Sequence, residues 1–483
     1  MKIDLKKFLF ENLGIRQTIF KNTLWLSLGE GVSQVLRVLL IIYVARVLGA
    51  VEYGKFTFAL AFITIFSILC DLGISQIATR ELSQDKDQEK DFSAVFTLKL
   101  LLSLFAFLII SASSFFITSD DTIRKIIWIL AIYTVLNSAS GTLWAFFEAR
   151  QKMEYESISK IFQSFLIAAF GLLVIFNFPS IENLSWSYLF SGAVALIFLL
   201  LFFHFKISKL KFHLEKSIWL KFLSKSWPLA VTAFFGSVYT QFDSVFMGYR
   251  GQIEQTGLYN AAYRLITVIL LSGSIISQSF FPALCAAFTE SKEKLQRVWN
   301  YFTETIIFLV VPIVAGGITL AARIIDLVYD PRYFSSIPAF QILLLMAGFM
   351  LWGYPLTNIL IASNHQKNLL KITIIGAAIN IILNIILIPR HSFYGAASAA
   401  LVSAFVVFFM LFKTVSGLAF IKIFGRSFWE TLAAAFFAAF LMFLFISLPI
   451  IYTRNVFISV LSGAALYFLL FAAGKTAINK ILK

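Results

Sequence analysis

Residues 185–205 read SWSYLFSGAVALIFLLLFFHF, and this stretch decides the class of fold. It is apolar along almost its whole length, and polar residues do not alternate with apolar ones. An α-helix needs about 20 apolar residues to cross a bilayer core of about 30 Å, whereas a membrane β-barrel strand shows a two-residue alternation. The stretch therefore predicts a transmembrane helix.

The composition extends this prediction to the whole chain. Of 483 residues, 59% are hydrophobic and only 13% are charged, although soluble domains have about 25% charged residues. The net charge of +15 lies mostly in short segments between apolar runs. That placement indicates membrane topology and contact with anionic lipids, and it excludes nucleic acid as the partner.

The pattern predicts an all-α membrane protein with about 14 transmembrane helices. The predicted spans are 23–46, 56–79, 93–117, 126–148, 158–178, 185–205, 227–249, 257–284, 299–322, 337–361, 370–388, 394–412, 428–449 and 455–474.

Positive charge orients these spans. Most of the 40 Lys and Arg fall on one side if the N-terminus is cytoplasmic, and the 206–225 linker is the most basic segment. We therefore expect a multi-pass protein of a bacterial or archaeal cytoplasmic membrane with both termini inside, and with residues 250–256 and 323–336 outside. Residues 1–21 are expected to form a basic amphipathic helix at the inner surface.

The short loops between the predicted spans argue against an enzyme. No predicted loop exceeds about twenty residues, too little for the catalytic domain of an envelope glycosyltransferase or polymerase. The chain has no phosphate-binding glycine loop and no pair of histidines at metal-binding spacing. A transporter without catalytic residues or a cofactor is the prediction.

Two segments suggest an internal repeat. GAVEYGKF at 49–56 and GQIEQTGLY at 251–259 each follow an apolar span and open the next one, and proline follows the fifth and eleventh spans. The repeat predicts two six-helix lobes around a central cavity, a transporter architecture. The predicted lobes are 1–217 and 218–425, with two C-terminal helices in 426–483. The alternative is that Gly and Pro simply recur in tight turns.

Ionisable groups inside the membrane mark candidate sites, because they are costly unless they face a cavity or a partner. The candidates for the substrate cavity are Glu30, Gln34, Arg37, Asp71, Asp243, Asn260 and Arg264.

These candidates permit two interpretations. The two arginines either contact an anionic substrate or pair with carboxylates as structural elements. Glu30 and Asp243 either exchange a coupling ion, H⁺ or Na⁺, or serve as counter-ions. We expect Lys99 and Glu148 to snorkel to the membrane interface and to be structural.

Several motifs, taken in order, carry a resemblance to a known family. They are YVARVLGAVEYG at 43–54, DLGIS at 71–75, FDSV at 242–245, GLYNAAYR at 257–264, NIILIP at 384–389 and YGAA at 394–397. With them the chain resembles the polysaccharide biosynthesis proteins, the Wzx-type oligosaccharide flippases of the multidrug/oligosaccharidyl-lipid/polysaccharide exporter superfamily.

The resemblance implies two six-helix lobes around a V-shaped cavity. It also implies transfer of an undecaprenyl-pyrophosphate-linked oligosaccharide from the cytoplasmic to the outer leaflet by alternating access, alongside polysaccharide assembly proteins. The alternatives are a flippase of a lipid-linked peptidoglycan precursor and a multidrug or cation antiporter of the same fold. The deep arginines, Arg37 and Arg264, disfavour the antiporter, because an organic cation needs an acidic or aromatic cavity.

Overall fold

The computed structural model describes residues 5–83, 89–207, 212–418, 421–448, 451 and 455–481. Within these ranges every regular element is a helix. The α-helices are α1 (Leu5–Phe10), α2 (Ile15–Ser67), α3 (Ile74–Leu82), α4 (Glu89–Ile117), α5 (Asp121–Ala149), α6 (Met153–Asn177), α7 (Ile181–Lys206), α8 (Lys216–Tyr249), α9 (Ile253–Glu290), α10 (Lys292–Val328), α11 (Ile337–Ala362), α12 (Gln366–Gly417), α13 (Arg426–Ser447) and α14 (Val456–Ile481).

Eleven helical segments of the described chain are long and apolar enough to cross a membrane. Two of them, α2 and α12, each contain a backbone break, at Gly49 (φ 80°) and at Ser392 (φ 51°), and so comprise two spans each. The remaining predicted span corresponds to α8, in which Ser, Thr, Gln and Asp interrupt the apolar residues. The all-α membrane fold is confirmed.

Glycine explains the first of these breaks. Gly49 has φ 80° and ψ 174°, a conformation essentially restricted to glycine. The equivalent turn of the predicted repeat also has a left-handed glycine, Gly251, with φ 75°. Tyr53 and Tyr259, which follow the two turns, are both almost fully buried. The two turns of the predicted repeat thus share a glycine with positive φ and a buried tyrosine after it.

The second predicted span is not one continuous helix, and that prediction was wrong. After α2 ends, residues 68–70 form a 3₁₀ turn, and Leu72 (φ 47°) and Gly73 (φ 72°) are both left-handed before α3 begins. The amphipathic helix predicted for residues 1–21 is also interrupted: α1 ends at Phe10 and α2 begins at Ile15. Likewise α10 continues to Val328, so the predicted 323–336 loop is shorter.

The chain divides into two compact units, residues 1–254 and 255–483. In the first unit, α3, α4, α5, α7 and α8 share a core around Phe92, Phe146 and Phe203. In the second, α9 to α12 pack around Trp299, Leu356 and Leu411, while α13 and α14 cover α10 through Met442 and Tyr467. The lobe boundaries expected from the repeat remain a prediction.

Ion pairs fasten the start of α8 within the first unit. The ammonium of Lys225 lies 2.8 Å from the carboxylate of Glu81 at the end of α3, and Lys90 of α4 lies 2.6 Å from Glu215. Hydrogen bonding from Lys225, reinforced by Arg80, holds the pKa of Glu81 below its usual value. The carboxylate therefore stays ionised at neutral pH, and the link between α3 and α8 persists there.

Candidate functional site

Three of the predicted site residues meet on one face of α2. Arg37 Nη2 donates to Gln34 Oε1 at 2.9 Å and to Glu30 Oε1 at 3.2 Å. Residues four and seven positions apart project from the same side of a helix, which is why the sequence spacing predicts this cluster. Ser164 of α6 accepts from Arg37 Nη1 at 3.3 Å and fixes the guanidinium from the neighbouring helix.

This cluster leaves the arginine accessible to a ligand. The Arg37 side chain is 36% exposed and that of Glu30 is 54% exposed. A guanidinium has five N–H donors, and the described residues occupy only three of them. One N–H of Nη1 and the N–H of Nε remain, and each can donate to a phosphate or carboxylate oxygen.

Asp71 belongs to a different arrangement. It sits at the break between α2 and α3, where its carboxylate lies 2.7 Å from the ammonium of Lys99 on α4. Lys99 also donates to Ser75 Oγ at 2.6 Å. Lys99 is only 2% exposed, so the expectation that it snorkels to the interface was wrong. The broken helix instead supplies the buried Lys99 with a partly exposed acidic partner, Asp71.

Asp243 lies near the end of α8 and is 4% exposed. Its Oδ1 accepts the backbone N–H of Ser244 at 2.6 Å. The carboxylate is thus enclosed and hydrogen-bonded near the end of α8. A role in the substrate cavity remains a prediction.

The other two candidates belong to the second unit and lie one turn apart on α9. Asn260 Nδ2 donates to the carbonyl of Thr256 at 2.9 Å. Arg264 is half-buried, and within the described ranges its guanidinium makes no hydrogen bond or ion pair. The structure therefore brings Glu30, Gln34 and Arg37 together within the first unit, and it places Asn260 and Arg264 one turn apart within the second.

Apolar crevices form a second kind of feature. One of about 490 Å³ lies between α10, α11 and α13, and among its lining residues are Val310, Trp352 and Phe440, with Thr319 as its polar side chain. Such walls suit a hydrocarbon chain and not a charged headgroup. Unlike the Arg37 cluster, the crevice has no ionisable side chain among the described residues that line it.

The sequence analysis missed buried charges at the helix ends. Lys21 of α2 and Glu154 of α6 form an ion pair at 2.8 Å, with exposures of 0% and 1%. Both residues lie outside the predicted apolar spans and therefore gave no intramembrane signal. Only tertiary packing shows that these interface charges are enclosed.

Comparisons with known proteins now bear on this geometry. Residues 19–288 match the family described as polysaccharide biosynthesis protein. A similar curated protein is the uncharacterized membrane protein MJ1068 of Methanocaldococcus jannaschii, 25% identical over 76% of this chain and 79% of that protein. Another is the probable low-salt glycan biosynthesis flippase Agl15 of Haloferax volcanii, 22% identical over 75% of this chain and 76% of that protein.

Solved structures with a similar fold are membrane transporters. One is described as the lipid II flippase MurJ in an inward closed conformation; it has a TM-score of 0.78 at 16% identity and covers 95% of this chain and 99% of that one. Another is an inward-facing multidrug resistance MATE family transporter of the MOP superfamily, with a TM-score of 0.66 at 15% identity, covering 82% and 98%. At these identities the likeness establishes the fold alone.

Proposed function

Because the chain belongs to the polysaccharide biosynthesis protein family, we propose that it is a flippase for a lipid-linked oligosaccharide. The substrate is an oligosaccharide on undecaprenyl pyrophosphate, moved from the cytoplasmic to the outer leaflet. The protein works as a transporter and not as an enzyme. The probable flippase named among its relatives supports this class of function.

The arginine cluster on α2 is the observation that carries the substrate assignment. A pyrophosphate that joins a lipid to a sugar is a dianion, and it needs cationic donors wherever it leaves water. Arg37 supplies a half-exposed guanidinium with two open donors. Gln34 and Ser164, which hold it in place, restrict its orientation, so less side-chain entropy is lost on binding.

Arg264 extends the same chemistry to the second unit. It is half-buried within a membrane-length helix, where an isolated charge is costly. An anionic ligand would compensate that cost. We therefore assign Arg37 in the first unit, with Gln34 beside it, to oxygen atoms of the anionic headgroup, and we assign Arg264 in the second unit, with Asn260 beside it, the same kind of contact.

The test uses purified protein in proteoliposomes containing a fluorescent polyprenyl-pyrophosphate oligosaccharide. Arg37→Ala should slow its transfer between leaflets at least tenfold, because one charge-assisted hydrogen bond contributes about 1.5–3 kcal/mol. Arg37→Lys should recover only part of the rate, since an ammonium keeps the charge but cannot bond to Gln34, Ser164 and the ligand through separate, fixed nitrogen atoms.

Arg426→Ala is the matched control. Arg426 is 65% exposed and pairs with Glu430 on its own helix, so its loss should leave the transfer rate unchanged. Normal transfer by Arg37→Ala, or equal slowing by Arg426→Ala, would contradict the assignment of Arg37 to the substrate.

A further inference from the structure

Two glutamates meet where α5 ends and α6 begins. Glu148 lies in the last turn of α5 and Glu156 in the first turn of α6, and the connection between the helices is three residues long in sequence, 150–152. This short turn brings the two carboxyl groups next to each other. Glu156 is only 1% exposed.

The hydrogen bonds of this pair are incomplete. Lys160, one turn further along α6, places its ammonium 2.7 Å from Glu156 Oε1. Thr79 of α3 donates to Glu148 Oε2 at 3.0 Å. Glu156 Oε2, however, is buried and has no hydrogen-bond donor among the described residues. A buried acceptor without a donor costs about 1–3 kcal/mol, and more when it is charged.

A single proton shared by the two carboxyl groups would remove the repulsion between two carboxylates and give Glu156 Oε2 a hydrogen bond. Two adjacent carboxylates disfavour each other's ionised form, and one ammonium neutralises only one of them. We propose that Glu148 and Glu156 share one proton and form a proton-binding site that couples transport to the proton gradient. This inference rests on the proposed function, because it assigns the driving ion of that same transporter.

Few cations other than Lys160 lie on the helices packed against α6, where they could neutralise the glutamate pair. The other helices packed against α6 are α2 and α7. The α2 contact places Gly29 against Ser157. Two cations of α2 bond to α6, and both are engaged by other residues: Lys21 by Glu154, and Arg37 by Ser164 and Glu30. The α7 contact is aromatic, with Phe202 against Tyr155.

The remaining charged neighbours are committed elsewhere. They are Arg80 of α3, paired with Glu81, Arg150, over the ring of Phe146, and Lys152, over the ring of Tyr155. In the part of the chain that the structure describes, Lys160 is thus the cation that faces Glu156.

Proton binding has a direct mechanical consequence. The proton comes from water at this end of the helices, forms an O–H bond on one carboxyl and is donated to the other, while Lys160 stays protonated. Thr79 of α3 bonds to α5 through Glu148 at 3.0 Å and, at the longer distance of 3.4 Å, through the carbonyl of Ala145, and α3 follows the break at 68–73. Gain or loss of the proton therefore changes the bond between α5 and the hinged half of the second span.

Infrared spectroscopy of the purified full-length protein tests the shared proton without any substrate. The wild type should show the carbonyl band of one protonated carboxylic acid at neutral pH, and the double variant Glu148→Gln/Glu156→Gln should lack it. Glu290→Gln, which removes an exposed carboxylate, should retain it. The same band in the double variant would overturn the proposal.

Lys160→Gln gives a signed prediction. Its ammonium stabilises the ionised carboxylate, so its removal should move the loss of the band to higher pH. A purely structural role for Lys160 would leave the pH of that transition unchanged, and that result would also contradict the proposal.

Vesicles with an imposed pH gradient then test coupling. The double variant should bind inorganic pyrophosphate as the wild type does, yet lose the acceleration of lipid transfer by the gradient. Gradient dependence that survives in the double variant but disappears in Asp243→Asn would place coupling at Asp243 and overturn the proposal. The infrared experiment needs no substrate. If the protein moves no lipid-linked oligosaccharide, the proposed function fails, and the infrared band still shows whether the two glutamates share a proton.

Discussion

Lys21 shows how single charges stabilise the first unit. Its ammonium is fully buried, 2.8 Å from Glu154, and it also contacts Asn12 Oδ1 at 2.7 Å and the carbonyl of Gln151 at 3.3 Å. These contacts join the start of α2 to the turn between α5 and α6. Loss of the ammonium would leave the Glu154 carboxylate buried and unpaired.

We therefore expect Lys21→Ala to lower the free energy of unfolding by about 3–5 kcal/mol, the usual cost of breaking a buried pair from one side. Thermal unfolding in detergent measures the change. The control is Lys294→Ala, because Lys294 pairs with Glu290 on the surface, where both side chains are about half exposed, and such pairs contribute about 0–1 kcal/mol. Equal effects of the two substitutions would show that the buried pair does not stabilise the fold.

At the scale of single residues, the sequence predicted which helix face a side chain occupies better than it predicted which side chain on another helix it pairs with. The spacing of Glu30, Gln34 and Arg37 was sufficient to place them on one face of a helix, because helical geometry is local. The pairing of Asp71 with Lys99 was not predictable in the same way. It depends on a break in the second span and on the packing of α4 against that break, and neither is encoded in local spacing.

At the scale of helices, glycines have two roles: some allow turns, and others allow two helices to pack closely. Gly49 and Gly251 adopt left-handed conformations at turns, and the sequence indicated both because each lies between two apolar runs. Gly248 has a different role: a Cβ placed there would lie 2.1 Å from Cδ2 of Phe58 on α2. The close approach of α8 to α2 therefore depends on the missing side chain.

Gly248→Ala should destabilise the protein by about 1–3 kcal/mol through overpacking, because Phe58 is fully buried and has no free space to enter. Gly236→Ala is the control on the same helix, with no atom within 4 Å of the added methyl group. It should be neutral or stabilising, since Ala favours a helix over Gly by about 1 kcal/mol. A Gly248→Ala protein as stable as Gly236→Ala would refute this account of the packing between α8 and α2.

At the scale of the whole molecule, the apolar runs predict the membrane-length helices and the positive charges predict their orientation. The long apolar runs predicted the membrane-length helices, since backbone groups in lipid must be satisfied within the segment. The sequence could not predict how far helices extend beyond the apolar runs. Helix α10, for example, contains 37 residues, and its ends are polar enough to resemble loops.

Orientation in the membrane is a prediction of the charge bias alone. In a variant lacking Cys70 and Cys285, cysteines placed at Glu254 and Ser335 should react with an impermeant reagent added outside the cell. A cysteine at Ser224, in the basic linker, should react only after the membrane is opened. The reverse pattern would invert the topology and would place the Arg37 cluster differently with respect to the two leaflets.

The most direct test of the central claim compares two substrates in one preparation of the wild-type protein. Proteoliposomes are given either a fluorescent undecaprenyl-pyrophosphate oligosaccharide in one leaflet or a fluorescent organic cation in solution, and transfer of each is followed with and without protein. We expect protein-dependent transfer of the lipid-linked oligosaccharide and none of the cation, because the proposed site assigns Arg37 to an anionic headgroup. Transfer of the cation without transfer of the oligosaccharide would contradict it and identify a multidrug transporter of the same fold.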